Sequence, residues 1–140
     1  MGRKDTAGRA FFSDRERFAE LMNVHLFRRN KFVLAENLIL REWEYPSLTG
    51  FYGEKKRDIL IEDTSRKIYF VMELETESDY SMPERIMVYD VCEYERQVRE
   101  LYRNHREKED FTGYREKKGL IKATDVLCPT VTVVLYLGEG

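Results

Sequence analysis

The segment RDILIEDTSRKIYFVMELE, residues 57–75, decides how this chain folds. Two β-branched and aromatic runs, RDILIE (57–62) and KIYFVMEL (67–74), flank the polar tetrad Asp63, Thr64, Ser65 and Arg66, which is the pattern of a β-hairpin. Both runs are apolar on both faces, as strands covered by helices on each side should be. Centring the turn between Ser65 and Arg66 sets Asp58 directly across from Glu73. Opposed residues have Cβ atoms about 4.5–5.5 Å apart, where like charges repel. Glu75 follows on the same face, two residues along. Three carboxylates are therefore expected to converge at one end of an apolar hairpin. Such repulsion is relieved by a raised pKa or by a cation, and hard oxygen ligands suit magnesium or manganese. A divalent ion held this way activates water and stabilises a phosphodiester transition state. The competing reading is a solvated strand end, and a one-residue slip in register would dissolve the cluster.

Outward from the hairpin, Ser13 and Glu16 have capping-box spacing and predict a helix over 14–28, with Phe18, Leu21, Met22, His25 and Leu26 on its apolar stripe. NLILREWEY (37–45) reads as a strand ended by Pro46 and the turn signals of LTGFYG. Ser81 and Glu84 form a second capping box, with Pro83 tolerated in the first turn. Met87, Val91, Tyr94, Val98 and Leu101 then recur at helical spacing and predict a helix over 82–106. Residues 104–119 read as a charged loop or frayed helix end, and TVTVVLYLG (130–138) as a fully buried last strand. The order helix, three strands, helix, strand predicts an α/β fold with a mixed central sheet flanked by helices.

The chain has 140 residues, 42% of them hydrophobic, enough for a single domain spanning 1–140 with an ordinary core. Twenty-four basic against 26 acidic side chains leave a net charge of -2, so any nucleic-acid surface must be local. Cys92 and Cys128 are too few for a disulfide framework or a zinc cluster. No apolar run approaches the roughly 20 residues of a spanning helix, which argues against a membrane partner. With no apolar signal segment either, a cytoplasmic location is the expectation. His25 and His105 have no partner at ligand spacing.

KKRDILIED (55–63) followed by YFVMELETESDYSMPERIMVYDVCEY (69–94) resembles the bacterial recombination-promoting nuclease and transposase family. That family lies within the PD-(D/E)xK nuclease superfamily. It typically shows an RD pair on one strand, then ENQ and YAMPxRxxxYDxxxY after the next. FFSDRERFAELMNVHLF (11–27) resembles its opening helix, so the likeness spans nearly all of the chain. The resemblance implies a restriction-endonuclease-like core and a metal-dependent DNA endonuclease using Mg2+ or Mn2+. A catalytically reduced DNA-binding or interaction module with the same fold is the alternative.

Carried across by position, Asp58 and Glu73 take the family's two metal-binding carboxylates, and Glu75 falls where the family has glutamine and most of the superfamily a catalytic lysine. A glutamate there can ligate metal or accept a proton but cannot stabilise developing negative charge. Lys56, with Lys55 beside it, is a candidate for the missing cation. Arg85 is expected to pair with Glu73 or Glu75 or to meet the scissile phosphate. Asp90 is expected to pair with Arg85 or Tyr94, and Tyr89 and Tyr94 to be half-buried. Either Glu16 or Glu20 could add a carboxylate from the first helix. Arg96, Arg99, Arg103 and Arg106 repeat at three and four on one helix face and, with Lys108, form the candidate DNA phosphate contact, continued by Arg115, Lys117, Lys118 and Lys122. Family members usually continue past LYLG into further helices. A shortened C-terminus would expose the last strand's apolar face and favour self-association into a homo-oligomer.

Overall fold

A computed structural model describes residues 3–45 and 57–138, with side chains from residue 6 onward. Helix α1 (Arg3–Phe12) and helix α2 (Arg15–Leu26) precede a single 3-10 turn (Ala35–Asn37). Strands β1 (Leu38–Arg41), β2 (Ile59–Asp63) and β3 (Ile68–Glu75) follow, then helix α3 (Met82–Lys108), the short helix α4 (Tyr114–Gly119) and strand β4 (Thr130–Tyr136). The strands form one sheet in the order β1-β2-β3-β4. The first three are antiparallel neighbours, and β4 runs parallel to β3. A parallel return needs a crossover, and α3 with α4 supplies it. The fold is thus mixed α/β, as the sequence pattern predicts.

The hairpin has the predicted register. Ile59 pairs with Met72 and Asp63 with Ile68. Asp63 shapes the turn by accepting from Ser65 N at 3.0 Å, Ser65 Oγ at 2.7 Å and Arg66 N at 3.2 Å. Lys67 closes the turn in the left-handed region, at φ 54°.

Alternation sends the two faces of this hairpin to different partners. Ile59, Ile61, Phe70, Met72 and Leu74 bury against Phe18, Ala19 and Met22 of α2, with Val33 and Leu38 completing the core. Leu60, Tyr69 and Val71 face the other way, toward Trp43 and Cys128. Helix α3 lies over this second face, where the Arg96 guanidinium stacks 3.9 Å from the Trp43 ring centroid. Helix α1 comes close to the sheet at Gly8, where a Cβ would stand 2.8 Å from a Leu137 methyl.

Several expectations are corrected. Asp14, not Ser13, caps α2, accepting from Glu16 N and Arg17 N at 3.1 Å each, while Ser13 Oγ turns back to the Arg9 carbonyl and closes α1. The helix ends at Leu26, and Arg28 and Arg29 turn left-handed after it. His25 and Leu26 are exposed, outside the predicted stripe. The predicted strand 37–45 keeps regular pairing only over Leu38–Arg41, with Tyr45 as an isolated bridge; the turn signals of 46–53 lie outside the described residues. Helix α3 rotates away from its own apolar stripe. Met87 is 69% exposed and Val91 55%, while Met82, Tyr89, Cys92, Glu93 and Gln97 are buried. Hydrogen bonds of Glu93 and Gln97 set this rotation, a force that hydrophobic spacing does not register. Strand β4 is a sheet edge and only partly buried, because nothing pairs beyond it among the described residues. The 104–119 segment is more ordered than predicted, since α3 runs to Lys108 and α4 follows.

Candidate functional site

Asp58 and Glu73 stand across from each other at the open end of the β2–β3 hairpin, one step beyond the Ile59–Met72 pair. Asp58 Oδ2 accepts from Leu74 N at 2.8 Å, which fixes that side chain to the ladder. Glu73 is only 3% exposed, and its Oε1 has no hydrogen-bond partner. Burial, and then the charge of Asp58, push the Glu73 carboxyl up from 4.5 to about 8, against the pull of the Arg57 charge and a hydrogen bond from the Asp58 backbone. The two carboxyls are within hydrogen-bonding reach, and with its midpoint raised to about 8 Glu73 keeps its proton at neutral pH. That is an acidic pair with too few donors.

The third expected carboxylate is drawn elsewhere. Glu75 sits 3.6 Å from Arg85 Nη1, and the same nitrogen is 2.9 Å from Asp79 Oδ2. Asp79 also accepts from Ser81 N at 2.8 Å and Ser81 Oγ at 2.7 Å, and these bonds to Ser81, ahead of Arg85, hold its carboxyl below the usual range. The predicted Ser81 capping box is therefore replaced by an Asp79 turn that also holds Arg85. Convergence of three carboxylates is not realised: among the described residues, no group of three acidic, histidine or cysteine side chains is arranged to hold a metal ion. The first helix cannot supply the missing one, because α2 packs on the opposite face of the sheet and Glu16 and Glu20 are exposed there. Lys55 and Lys56 lie outside the described residues.

Among the described residues, a positive charge acts on Glu73 from Arg57, which the sequence does not single out as a site residue. Arg57 has a side chain only 1% exposed and forms a 2.6 Å ion pair with Asp90 of α3. It also donates to Thr132 Oγ1 of β4 at 3.1 Å, and its guanidinium lies 5.4 Å from the Tyr89 ring centroid. This corrects the expected pairing of Asp90 with Arg85 or Tyr94. Tyr94 instead takes a hydrogen bond from Thr130 N at 3.1 Å. In the sequence Arg57 stands out only as the first member of the RD pair with Asp58.

A second buried acid, Glu93, was also missed. It is 0% exposed and accepts from Tyr45 OH at 2.6 Å, Trp43 Nε1 at 3.0 Å, Arg96 Nη2 at 2.8 Å and Gln97 Nε2 at 3.2 Å. Burial, and then Glu93, push the Tyr45 hydroxyl far above its usual value of 10. Gln97 also joins the Cys128 backbone through both its amide atoms. This centre consumes Arg96, whose remaining nitrogen pairs with Glu100 at 2.8 Å. Arg96, expected on the DNA face, is thus tied into the Glu93 centre and is 25% exposed. Arg99 pairs with Glu95 at 2.9 Å and is 65% exposed; Arg103, Arg106 and Lys108 are exposed.

Comparison with family models, with curated proteins and with solved structures returned no significant match. Among the described residues, no helix is long and apolar enough to cross a membrane.

Proposed function

We propose that the chain is a metal-dependent endonuclease with a restriction-endonuclease-like core, related to the recombination-promoting nuclease and transposase family, and that Asp58 and Glu73 hold its Mg2+ or Mn2+. The observation that carries this reading is the buried, partnerless Glu73 Oε1 set beside a second carboxyl. Uncompensated buried acids are costly in a structural role, and active sites are where such cost is retained. The donor set fits the ion: magnesium is commonly bound by one or two carboxylates, with waters and substrate phosphate filling the remaining positions. When bound, the ion supplies an acidified water and charge neutralisation at the phosphate.

The chain's own residues have separable tasks in this reading. Asp58, fixed by Leu74 N, orients one carboxylate oxygen rigidly. Glu73, which keeps its proton at neutral pH, would give it up to a bound cation. Arg57 offsets the negative charge from within the core, and its fork ties α3 and β4 to the site. Arg85, 26% exposed and held by Asp79, stands at the rim where a phosphate would approach. Glu75 modulates Arg85 and does not take part in binding the ion, a narrower role than the sequence reading gives it. The exposed cations Arg99, Arg103, Arg106 and Lys108 would meet the DNA backbone.

A catalytically reduced binding module is the second reading, favoured by the absence of a lysine at position 75 and by the engagement of Glu75 with Arg85. Plasmid nicking with and without Mn2+, alongside Mn2+ calorimetry, separates the two. Binding and nicking by the parent, both lost in Glu73→Gln, support the nuclease. Binding without nicking supports the module, and a parent that neither binds Mn2+ nor nicks removes the metal site altogether.

A further inference from the structure

His105 lies in the last turn of α3, away from the acidic pair, and is gripped on both ring nitrogens. Nδ1 stands 2.9 Å from Asp110 Oδ1 and Nε2 stands 2.8 Å from Asp125 Oδ2. The ring is 12% exposed and Asp125 11%. A neutral imidazole donates once and accepts once, whereas a protonated ring donates twice. With a carboxylate at each end, only the protonated ring satisfies both contacts. Neither nitrogen is then left with a lone pair, so a role as general base or metal ligand is closed to it.

We propose that His105 is a latch that holds the connector between α3 and β4 onto the end of α3, and that it releases when the ring loses its proton. The contact to Asp110 is local, since that residue lies just past the helix end. The contact to Asp125 closes a loop of twenty residues and is the one that matters. Asp125 is already placed for it: it accepts from Lys122 N at 2.6 Å and its own N–H donates to the Lys122 carbonyl at 3.1 Å. The Phe111 ring centroid lies 5.3 Å from that of the imidazole.

The charges around the ring pull both ways, and the two aspartates prevail. Lys122 Nζ lies 3.9 Å from Asp110 and competes for it, and Glu116 adds negative charge beside both. On α3 itself Arg106 and Lys108 share the last turn and oppose a third cation, while the carbonyl end of the helix favours one. The hydrogen bonds to Asp110 and then Asp125 raise the His105 midpoint above the ordinary 6.5. Stability from the latch is therefore complete below about pH 6.5 and is lost as pH rises through the raised midpoint. The released connector carries exposed Arg115, Lys117 and Lys118 and feeds the strand that pairs with β3.

The test uses the full chain. The His105 ring is titrated by NMR, and amide hydrogen exchange is followed over residues 121–126, corrected for intrinsic rate. The expected result is a midpoint above 6.5 with protection falling about tenfold across it. His105→Gln and Asp125→Asn should each show the low protection at every pH, with the step gone. A midpoint at or below 6.5, or a parent connector equally protected on both sides of the midpoint, overturns the latch. The titration of the parent decides the matter even if a variant does not fold.

Discussion

Two carboxylates are buried on the α3-facing side of this sheet, and they have opposite surroundings. Glu93 is surrounded by donors: a phenol, an indole, a guanidinium and an amide all reach it. Glu73 faces another acid and leaves one oxygen without a partner. Burial is nearly equal, at 0% and 3%, so burial does not distinguish them. Donor count does. A saturated buried acid orders its neighbours into one arrangement, whereas a starved one raises the energy of the empty site and is relieved by whatever cation arrives. On the proposed function, the contrast separates a residue that holds the fold from one that would bind the ion.

The largest expected effect comes from breaking the saturated centre. Glu93→Ala leaves Arg96, Trp43, Tyr45 and Gln97 facing one another without an acceptor, and should cost about 3–5 kcal/mol in urea unfolding. Glu73→Gln, at an equally buried position, should be neutral or stabilising without metal, because it removes a repulsion and not a pairing. Equal losses in the two variants would erase the distinction.

A smaller effect is the pH dependence of Glu73. Its midpoint rises from 4.5 to about 8 on folding, so between these values the folded chain keeps a proton that the unfolded chain has released. Stability from this group is therefore greatest below about 4.5 and falls as pH rises toward 8, by a few kcal/mol at most. His105 acts in the same direction, so the diagnostic quantity is the difference between parent and Glu73→Gln across the range. That difference should shrink toward acid and grow toward pH 8. Asp58→Asn should reduce it, since the Asp58 charge is the second cause of the shift. A flat difference would mean that Glu73 ionises freely and that the pair is solvated.

Metal should reverse the penalty. At Mn2+ a hundredfold above its dissociation constant, the parent should gain about 2.7 kcal/mol, seen as a higher melting temperature. Glu73→Gln and Asp58→Asn should gain nothing, and Glu75→Gln should keep most of the gain because Glu75 is held by Arg85. Loss of the gain in Glu75→Gln would restore the three-carboxylate arrangement and overturn the role given to Arg85.

These two centres were unequally legible in the sequence. The hairpin register, and with it the Asp58–Glu73 contact, follows from a turn tetrad and strict alternation, both local and periodic. The Glu93 centre joins Trp43 and Tyr45 to a helix about fifty residues later, and no periodicity links them. Its existence also explains the error over α3: Met87 and Val91 have the right spacing for a buried stripe, yet the helix turns to present Glu93 and Gln97. Likewise Glu75 has the right parity to join the site, but parity fixes a face and not a partner. Asp79 and Arg85 decide where Glu75 goes, and the turn that places them was read as a different cap.

The smallest effect distinguishes the first two members of the α3 arginine row. Arg96 and Arg99 are three apart and read alike in sequence, yet Arg96 is 25% exposed and tied to a fully buried acid, while Arg99 is 65% exposed and paired only with Glu95. An exposed i,i+4 pair contributes about 0.3–0.5 kcal/mol, so Arg99→Ala should barely move the unfolding midpoint. If Arg99 meets DNA phosphate, the same substitution should weaken binding of any duplex and reduce the salt-dependence slope by about one. Arg96→Ala should do the reverse. It strips a donor from Glu93 and a cation from the Trp43 face, at a cost of about 1–3 kcal/mol in stability. Any change it makes in DNA binding should disappear once the folded fraction is taken into account. Salt slopes measured for both variants at a temperature where each is fully folded decide the assignment: a change in slope for Arg96→Ala without one for Arg99→Ala would move the nucleic-acid surface to the Glu93 side of the helix.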